Sequence, residues 1–355
     1  MANDHLQSAA LTLVANGKGI LAADETTPTL TKRFDTLGIR STEQSRRTYR
    51  EMLFTAPGAA DFISGVIMYD ETIRQKSSGG TPLPEVLTLQ HVLTGIKVDT
   101  GAKSLAGFPG ETVTEGLDGL RDRLSDYRAM GARFAKWRAV IHVTEHFPTS
   151  ACVSANAHAL ARYAALCQEQ QVVPIVEPEV LMDGSHAIER CEQVTGVVLH
   201  AVFDALFEQG VALEGMLLKP NMVLAGKECP RQASVEEVAT ATLRCLRRHV
   251  PAAVPGIVFL SGGQNARVAT LHLNAMNQLP GPKPWKLSFS YGRALQDPAL
   301  EAWHGRDDNL AAAQKALYRR VKLNGAASIG KYTEEMEAES PSADDPPHRS
   351  DWRDD

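Results

Sequence analysis

Four pairs of polar residues stand two apart in this 355-residue chain: Lys97 with Asp99, Lys136 with Arg138, Glu177 with Glu179, and Lys219 with Asn221. Each ends a short apolar run, in GIKVD, FAKWR, VPIVEPE and GMLLKPN. Side chains two apart on an extended strand share a face, so each pair projects together. Burying unpaired charge costs several kcal/mol, so such groups must satisfy one another or a ligand. Lys219 stands out because it closes an apolar run and Pro220 follows at once. A lone strand-end lysine would ordinarily snorkel to water. Three further charged pairs argue for a shared site instead.

A lysine there suggests amine chemistry. An ordinary lysine is roughly 0.04% neutral at pH 7, too little for a nucleophile. Low dielectric and a neighbouring cation both favour the neutral amine, and Lys136 and Arg138 are candidates for that cation. A neutral amine attacks a ketone to give an iminium, an electron sink for an adjacent carbanion. The proton transfers need carboxylates, and Glu177, Glu179 and Asp24 are available.

The elements that must hold these groups recur through the chain. Apolar runs at 19–24, 65–70, 95–99, 134–138, 173–179, 215–221, 256–263 and 287–292 alternate with segments of helical period. The helical segments include 117–131, 155–168, 188–207 and 235–249. Eight strand–helix units predict a single-domain α/β fold, a (β/α)8 TIM barrel over residues 1–332. A doubly wound sheet is the competitor, but no Gly-rich dinucleotide loop follows the first strand. In a barrel the C-terminal strand ends form the active face, and alternate strands supply one layer. Lys136 and Lys219, on the fourth and sixth runs, then lie at similar height.

Phosphate recognition is expected beside the amine. The seventh run ends LSGGQ, offering Ser261 and the N–H groups of Gly262 and Gly263. The eighth ends SYGRA, offering Ser290, Gly292 and Arg293, whose guanidinium suits bidentate phosphate contact. A second cluster, DETTPTLTKR, places Thr26, Thr29, Lys32 and Arg33 after the first run. Two anion sites flanking one amine suit a sugar phosphorylated at both ends.

Composition narrows the class. The net charge of −5 leaves no nucleic-acid footprint. Residues 333–355 carry nine acidic groups against Arg349 and Arg353, and are expected to form a flexible acidic tail. Five cysteines without CxxC spacing suggest a reducing compartment, and the N-terminal apolar run is too short to span a bilayer. A cytoplasmic protein with no membrane contact is expected. HVTEH at 142–146 matches an inverted zinc-peptidase pattern. It directly follows a strand and is cut by Pro148, so zinc is not expected, and no cofactor is implied.

GKGILAADE, GIKVD, FAKWR, VPIVEPE, LEGMLLKPNM, FLSGGQ and KPWKLSFSYGRALQ together closely resemble class I fructose-bisphosphate aldolase. They occur in that family's order, from residue 17 to GKYT at 330–333. The resemblance implies reversible cleavage of fructose 1,6-bisphosphate without a metal, through a Schiff base on Lys219. It implies Glu177 as acid/base for the carbinolamine, Asp24 as acceptor of the C4-hydroxyl proton, and Lys136 as an aid to proton transfer. Glu179 remains a catalytic candidate. Ser261, Gly262, Gly263, Ser290, Gly292 and Arg293 would hold one phosphate. Thr26, Thr29 and Lys97 would hold the other, with Arg33 and Arg138 also at the sugar. A homotetramer binding sugar phosphates is what the family suggests. Two departures stand out: threonines flank Pro28 where many members have serines, and the chain ends SDWRDD without the tyrosine found in animal members. Another Schiff-base aldolase, or a scaffold that has lost the chemistry, are the competing readings.

Overall fold

The computed structural model describes residues 2–338, and the remainder of the expected tail lies outside the described residues. Ten strands appear in chain order: β1 (Gly19–Ala22), β2 (Ile63–Met68), β3 (Leu93–Lys97), β4 (Gly101–Ser104), β5 (Thr112–Glu115), β6 (Ala132–Ile141), β7 (Val173–Val180), β8 (Leu217–Leu218), β9 (Gly256–Phe259) and β10 (Lys286–Tyr291). Eight of them close into a parallel barrel in the order β1–β2–β3–β6–β7–β8–β9–β10. Each of the eight apolar runs supplies one barrel strand, so the (β/α)8 expectation holds. The other two strands, β4 and β5, form an antiparallel hairpin after β3.

Barrel strands are buried on both faces, which explains their unbroken apolar character. Helices Ser150–Glu169, Ile188–Glu208 and Val235–His249 fall where helical period predicts them. The last begins with a capping box: Ser234 accepts from Glu237 N–H while the Glu237 carboxylate accepts from Ser234 N–H.

The end of the barrel remote from the strand C-termini is closed by the N-terminal helix Ala2–Leu13. Leu6, Ala10 and Leu13, spaced along one stripe, pack with Ile20, Ile67, Phe134, Val173, Ile175, Leu217 and Val258. That cluster is the barrel's own interior, so one end is filled with hydrocarbon and the chemistry is confined to the other.

Beyond the last long helix, Glu334–Glu337 forms a single 3-10 turn. Met336 packs on the core, and Glu337 pairs with the buried Arg320 at 2.7 Å. These residues belong to the segment expected to be a flexible tail. All five cysteines are unpaired, and among the described residues no helix is long and apolar enough to cross a membrane.

The plugged end depends on missing side chains. A methyl group at Gly95 would stand 2.2 Å from the Phe134 ring. That ring is fully buried and cannot retreat. Gly95→Ala is therefore expected to cost about 1–3 kcal/mol by overpacking. The urea midpoint should fall while kcat per folded molecule stays near wild type; an unchanged midpoint would show that the ring has room to move.

Candidate active site

Strands β6 and β7 run in register, with Lys136 opposite Ile175 and Arg138 opposite Glu177. Lys219 follows β8 directly, its N–H donating to Val176 O at 2.8 Å. Pro220 has no N–H, yet its carbonyl accepts from Leu260 N–H at 3.1 Å, so the ladder reaches past the lysine. Asn221, two residues on, turns away from the site. Its Oδ1 accepts from Val180 N–H at 3.0 Å and its Nδ2 donates to Thr195 Oγ1 at 3.2 Å. The Lys219–Asn221 spacing therefore joins a reactive residue to a structural one.

The barrel mouth gathers four charges. Glu177 Oε1 lies 3.2 Å from Lys219 Nζ, and Glu177 Oε2 lies 3.2 Å from Lys136 Nζ. Lys136 also meets Asp24 Oδ2 at 2.7 Å. Lys136, Glu177 and Lys219 are each at most 4% exposed. Two lysines and two carboxylates thus share one enclosed space with opposite formal charges in balance, the condition under which buried charge is tolerable. Glu177 Oε2 has no aligned hydrogen bond within the described chain, despite its nearness to Lys136. It keeps acceptor capacity for a ligand.

This pairing sets the proton affinities. Burial alone would raise the Asp24 carboxyl, but Lys136, then Lys219 and more weakly Lys97, hold it well below the carboxylate range. Burial would likewise raise Glu177, and Lys136, Lys219 and Arg138 bring it below its ordinary value. Burial would lower Lys136, but Asp24 and Glu177 outweigh it and hold the ammonium above the lysine range. The cation expected beside Lys219 is thus itself balanced by carboxylates. Arg138 is turned outward onto Glu179, and Lys97 pairs with Asp99 at 2.6 Å.

The residues expected to hold a phosphate lie at the ends of β9 and β10. Gly262 and Gly263 adopt φ of 59° and 83°, which only glycine takes without strain. Neither N–H is hydrogen-bonded among the described residues. Ser261 is buried beside them, and Ser290 Oγ, on a residue 1% exposed, has no partner among the described residues. Gly292 is the N-cap of helix Arg293–Trp303 and leaves its first turn without a side-chain cap.

The matching family model, fructose-bisphosphate aldolase class-I, covers residues 5–347. A protein of Xanthomonas axonopodis pv. citri named "Probable fructose-bisphosphate aldolase class 1" is 57% identical over 94% of this chain and 99% of its own. Cytosolic fructose-bisphosphate aldolase 4 of Arabidopsis thaliana is 53% identical over 89% of this chain and 80% of its own. The chain belongs to the class I fructose-bisphosphate aldolase family. A solved structure of the Plasmodium falciparum aldolase, in complex with TRAP and a small-molecule inhibitor, matches with a TM-score of 0.92. It is 48% identical, and the match spans 94% of this chain and 96% of that one.

Other residues expected at an aldolase site are placed less centrally. Thr26 caps helix Thr27–Asp35, its hydroxyl 2.9 Å from that of Thr29, with Pro28 in the first turn. Arg33 is committed to Glu25 at 2.5 Å and Asp297 at 2.7 Å, so both arms already hold carboxylates. No contact joins it to the four-charge set among the described residues. Glu179 reaches Arg138 rather than a lysine. His142 and His146 fall in an irregular loop, not on a helix. Lys227 escaped the sequence reading; it sits in a polar loop with no periodicity to mark it, yet its amine lies beside Gly263.

The depressed Asp24 and Glu177 contribute stability that is present above about pH 4 and lost as pH falls through their folded values. The raised Lys136 contributes stability that is full below about pH 10.4 and lost as pH rises through its folded value. Between those limits Asp24, Glu177 and Lys136 are all charged. Lys136→Met strands two carboxylates against one ammonium and should cost about 3–5 kcal/mol. Combining it with Asp24→Asn should cost clearly less than the two single changes added together. A urea-denaturation double-mutant cycle measures this, and strict additivity would contradict the coupling.

Proposed function

We propose that this aldolase cleaves fructose 1,6-bisphosphate to dihydroxyacetone phosphate and glyceraldehyde 3-phosphate through a covalent imine on Lys219. The observation that carries this reading is the Lys219 amine held 3.2 Å from a buried glutamate at the open end of a plugged barrel. Excluding water when substrate enters disfavours an ion pair relative to a neutral pair. Proton transfer from Lys219 to Glu177 then makes the amine nucleophile and the carboxylic acid in one step, with no change in net charge.

The amine attacks the ketone carbon, the C=O π electrons go to oxygen, and that oxygen takes the proton the attacking nitrogen gives up, leaving a neutral carbinolamine. Glu177 protonates the resulting hydroxyl, which departs as water and leaves the iminium. Asp24, anionic at neutral pH, takes the C4-hydroxyl proton as the C3–C4 bond breaks. The bonding pair flows into the iminium, giving an enamine and releasing glyceraldehyde 3-phosphate. Protonation at C3 and hydrolysis of the imine return dihydroxyacetone phosphate and the free lysine. The iminium carries the same charge as the ammonium it replaces, so the Asp24–Lys136–Glu177 environment suits resting enzyme and intermediate alike. Lys136 steadies both carboxylates as protons move.

In this reading Ser261, Gly262, Gly263, Ser290, Gly292 and Arg293 hold one phosphate. Thr26, Thr29 and Lys97 hold the other, while Arg33 and Arg138 flank the sugar and Glu179 orients Arg138. The capped Thr26–Thr29 turn makes that end the more rigid. Catalysis belongs to the one barrel domain, residues 1–332, and the acidic segment from 333 has no chemical role. We place the enzyme in the cytoplasm as a homotetramer, on the strength of the family resemblance and the cytosolic relatives.

Lys219→Arg keeps the positive charge but cannot form an imine. Its kcat should fall by at least about 10⁴-fold, roughly 5 kcal/mol of barrier, while the fold and phosphate binding persist. A variant with substantial turnover would remove Lys219 from the mechanism. Arg293→Ala should raise KM about tenfold or more with kcat little changed, since a charged hydrogen bond contributes about 1.5–3 kcal/mol. A collapse of kcat at constant KM would contradict its role in binding.

A further inference from the structure

The Arg293 guanidinium makes no hydrogen bond or ion pair among the described residues, whereas Arg33, which pairs with Asp297 of the same helix Arg293–Trp303, holds two carboxylates. A second cation approaches it. A methyl group built on Gly263 would stand 3.2 Å from Arg293 Nη2 and 3.3 Å from Lys227 Nζ. Guanidinium and ammonium therefore flank one small space over the glycine turn, where like charges repel unless an anion intervenes. The unpartnered Ser290 Oγ and the free N–H groups of Gly262 and Gly263 belong to the same strand ends.

The placement of Lys227 follows from backbone pairing between the loops that follow β7 and β8. Gly226 N–H donates to His186 O at 2.8 Å, Lys227 N–H to Met182 O at 2.8 Å, and Glu228 N–H to Gly184 O at 3.0 Å. This clamp leaves no room for a side chain at 226: a methyl group on Gly226 would lie 2.1 Å from Gly184 O. With its backbone fixed, Lys227 reaches Asp183 Oδ1 at 3.0 Å, an exposed pair of little intrinsic strength.

We propose that Lys227 is a further phosphate-binding residue, closing with Arg293 on a phosphate monoester dianion over Gly263, and that Asp183 is its counterion when no anion is bound. The inference rests on the assignment of a phosphate to the β9–β10 loops and adds a specificity-determining cation to it. Two facing cations favour the dianion over the monoanion, so affinity should rise as phosphate passes its second ionisation near about pH 6. The exchange of Asp183 for phosphate involves no covalent step.

The test uses the full-length enzyme with inorganic phosphate as a competitive inhibitor and fructose 1,6-bisphosphate as substrate. Lys227→Gln should raise the phosphate Ki and the substrate KM about five- to tenfold, with kcat within about twofold. Lys227→Arg should restore both. Asp183→Asn frees the lysine and should lower the phosphate Ki by about two- to threefold. A merely structural Lys227–Asp183 pair would instead make Asp183→Asn and Lys227→Gln change Ki in the same direction. Parallel changes of that kind overturn the proposal, as does a Ki for Lys227→Gln equal to wild type. If Arg293→Ala still raises Ki in that last case, the phosphate assignment stands and only Lys227 drops out. If Arg293→Ala is silent too, the phosphate lies elsewhere and both fail.

Discussion

Glu177 bridges two lysines, one oxygen toward each, and the active end of the barrel is arranged around that contact. A carboxylate at this depth is intolerable without cations, and two lysines at this depth are intolerable without carboxylates. Asp24 completes the balance from the first barrel strand's end. The four residues come from β1, β6, β7 and β8 or the residues just past them, so no local segment could assemble the set. Closure of the barrel is what brings them within reach, and the apolar helix plug at the far end keeps water from that side.

This arrangement links stability to chemistry. In the proposed mechanism the balanced quartet exchanges a proton between Lys219 and Glu177, and gains an iminium in place of an ammonium, without creating buried net charge. The surrounding packing therefore need not reorganise during turnover, which is the advantage of a preorganised electrostatic site. The loops after β8, β9 and β10 differ. Arg293 and Lys227 are exposed and held weakly or not at all, while Ser261 and Ser290 are buried. In the proposed reading a ligand supplies the missing partners, and binding and chemistry are divided between the rim and the enclosed floor of one mouth.

Much of this was legible in the chain because barrel strands are short, apolar and regularly spaced. A charge closing such a run is conspicuous, as with Lys136, Glu177 and Lys219. The spacing of two was less informative than it looked: Asn221 shares the period with Lys219 but serves the backbone, and Glu179 is taken up by Arg138. Arg33 could be read as a cation after the first strand, but its engagement with Asp297 depends on a helix over 250 residues later in the chain. The β4–β5 hairpin left no signal because its strands are short, largely polar and outside the barrel. Lys227 was hidden for a related reason, since its position is set by pairing between two irregular loops rather than by any periodic pattern.

The central claim is that Lys219, and no other lysine at this mouth, carries the covalent bond to substrate. Borohydride reduction in the presence of dihydroxyacetone phosphate, followed by peptide mapping, tests it directly by fixing any imine as a stable secondary amine. The account predicts one modification per chain, on the peptide containing Lys219. A label on Lys136 or Lys97, or no label under conditions that support turnover, would contradict it.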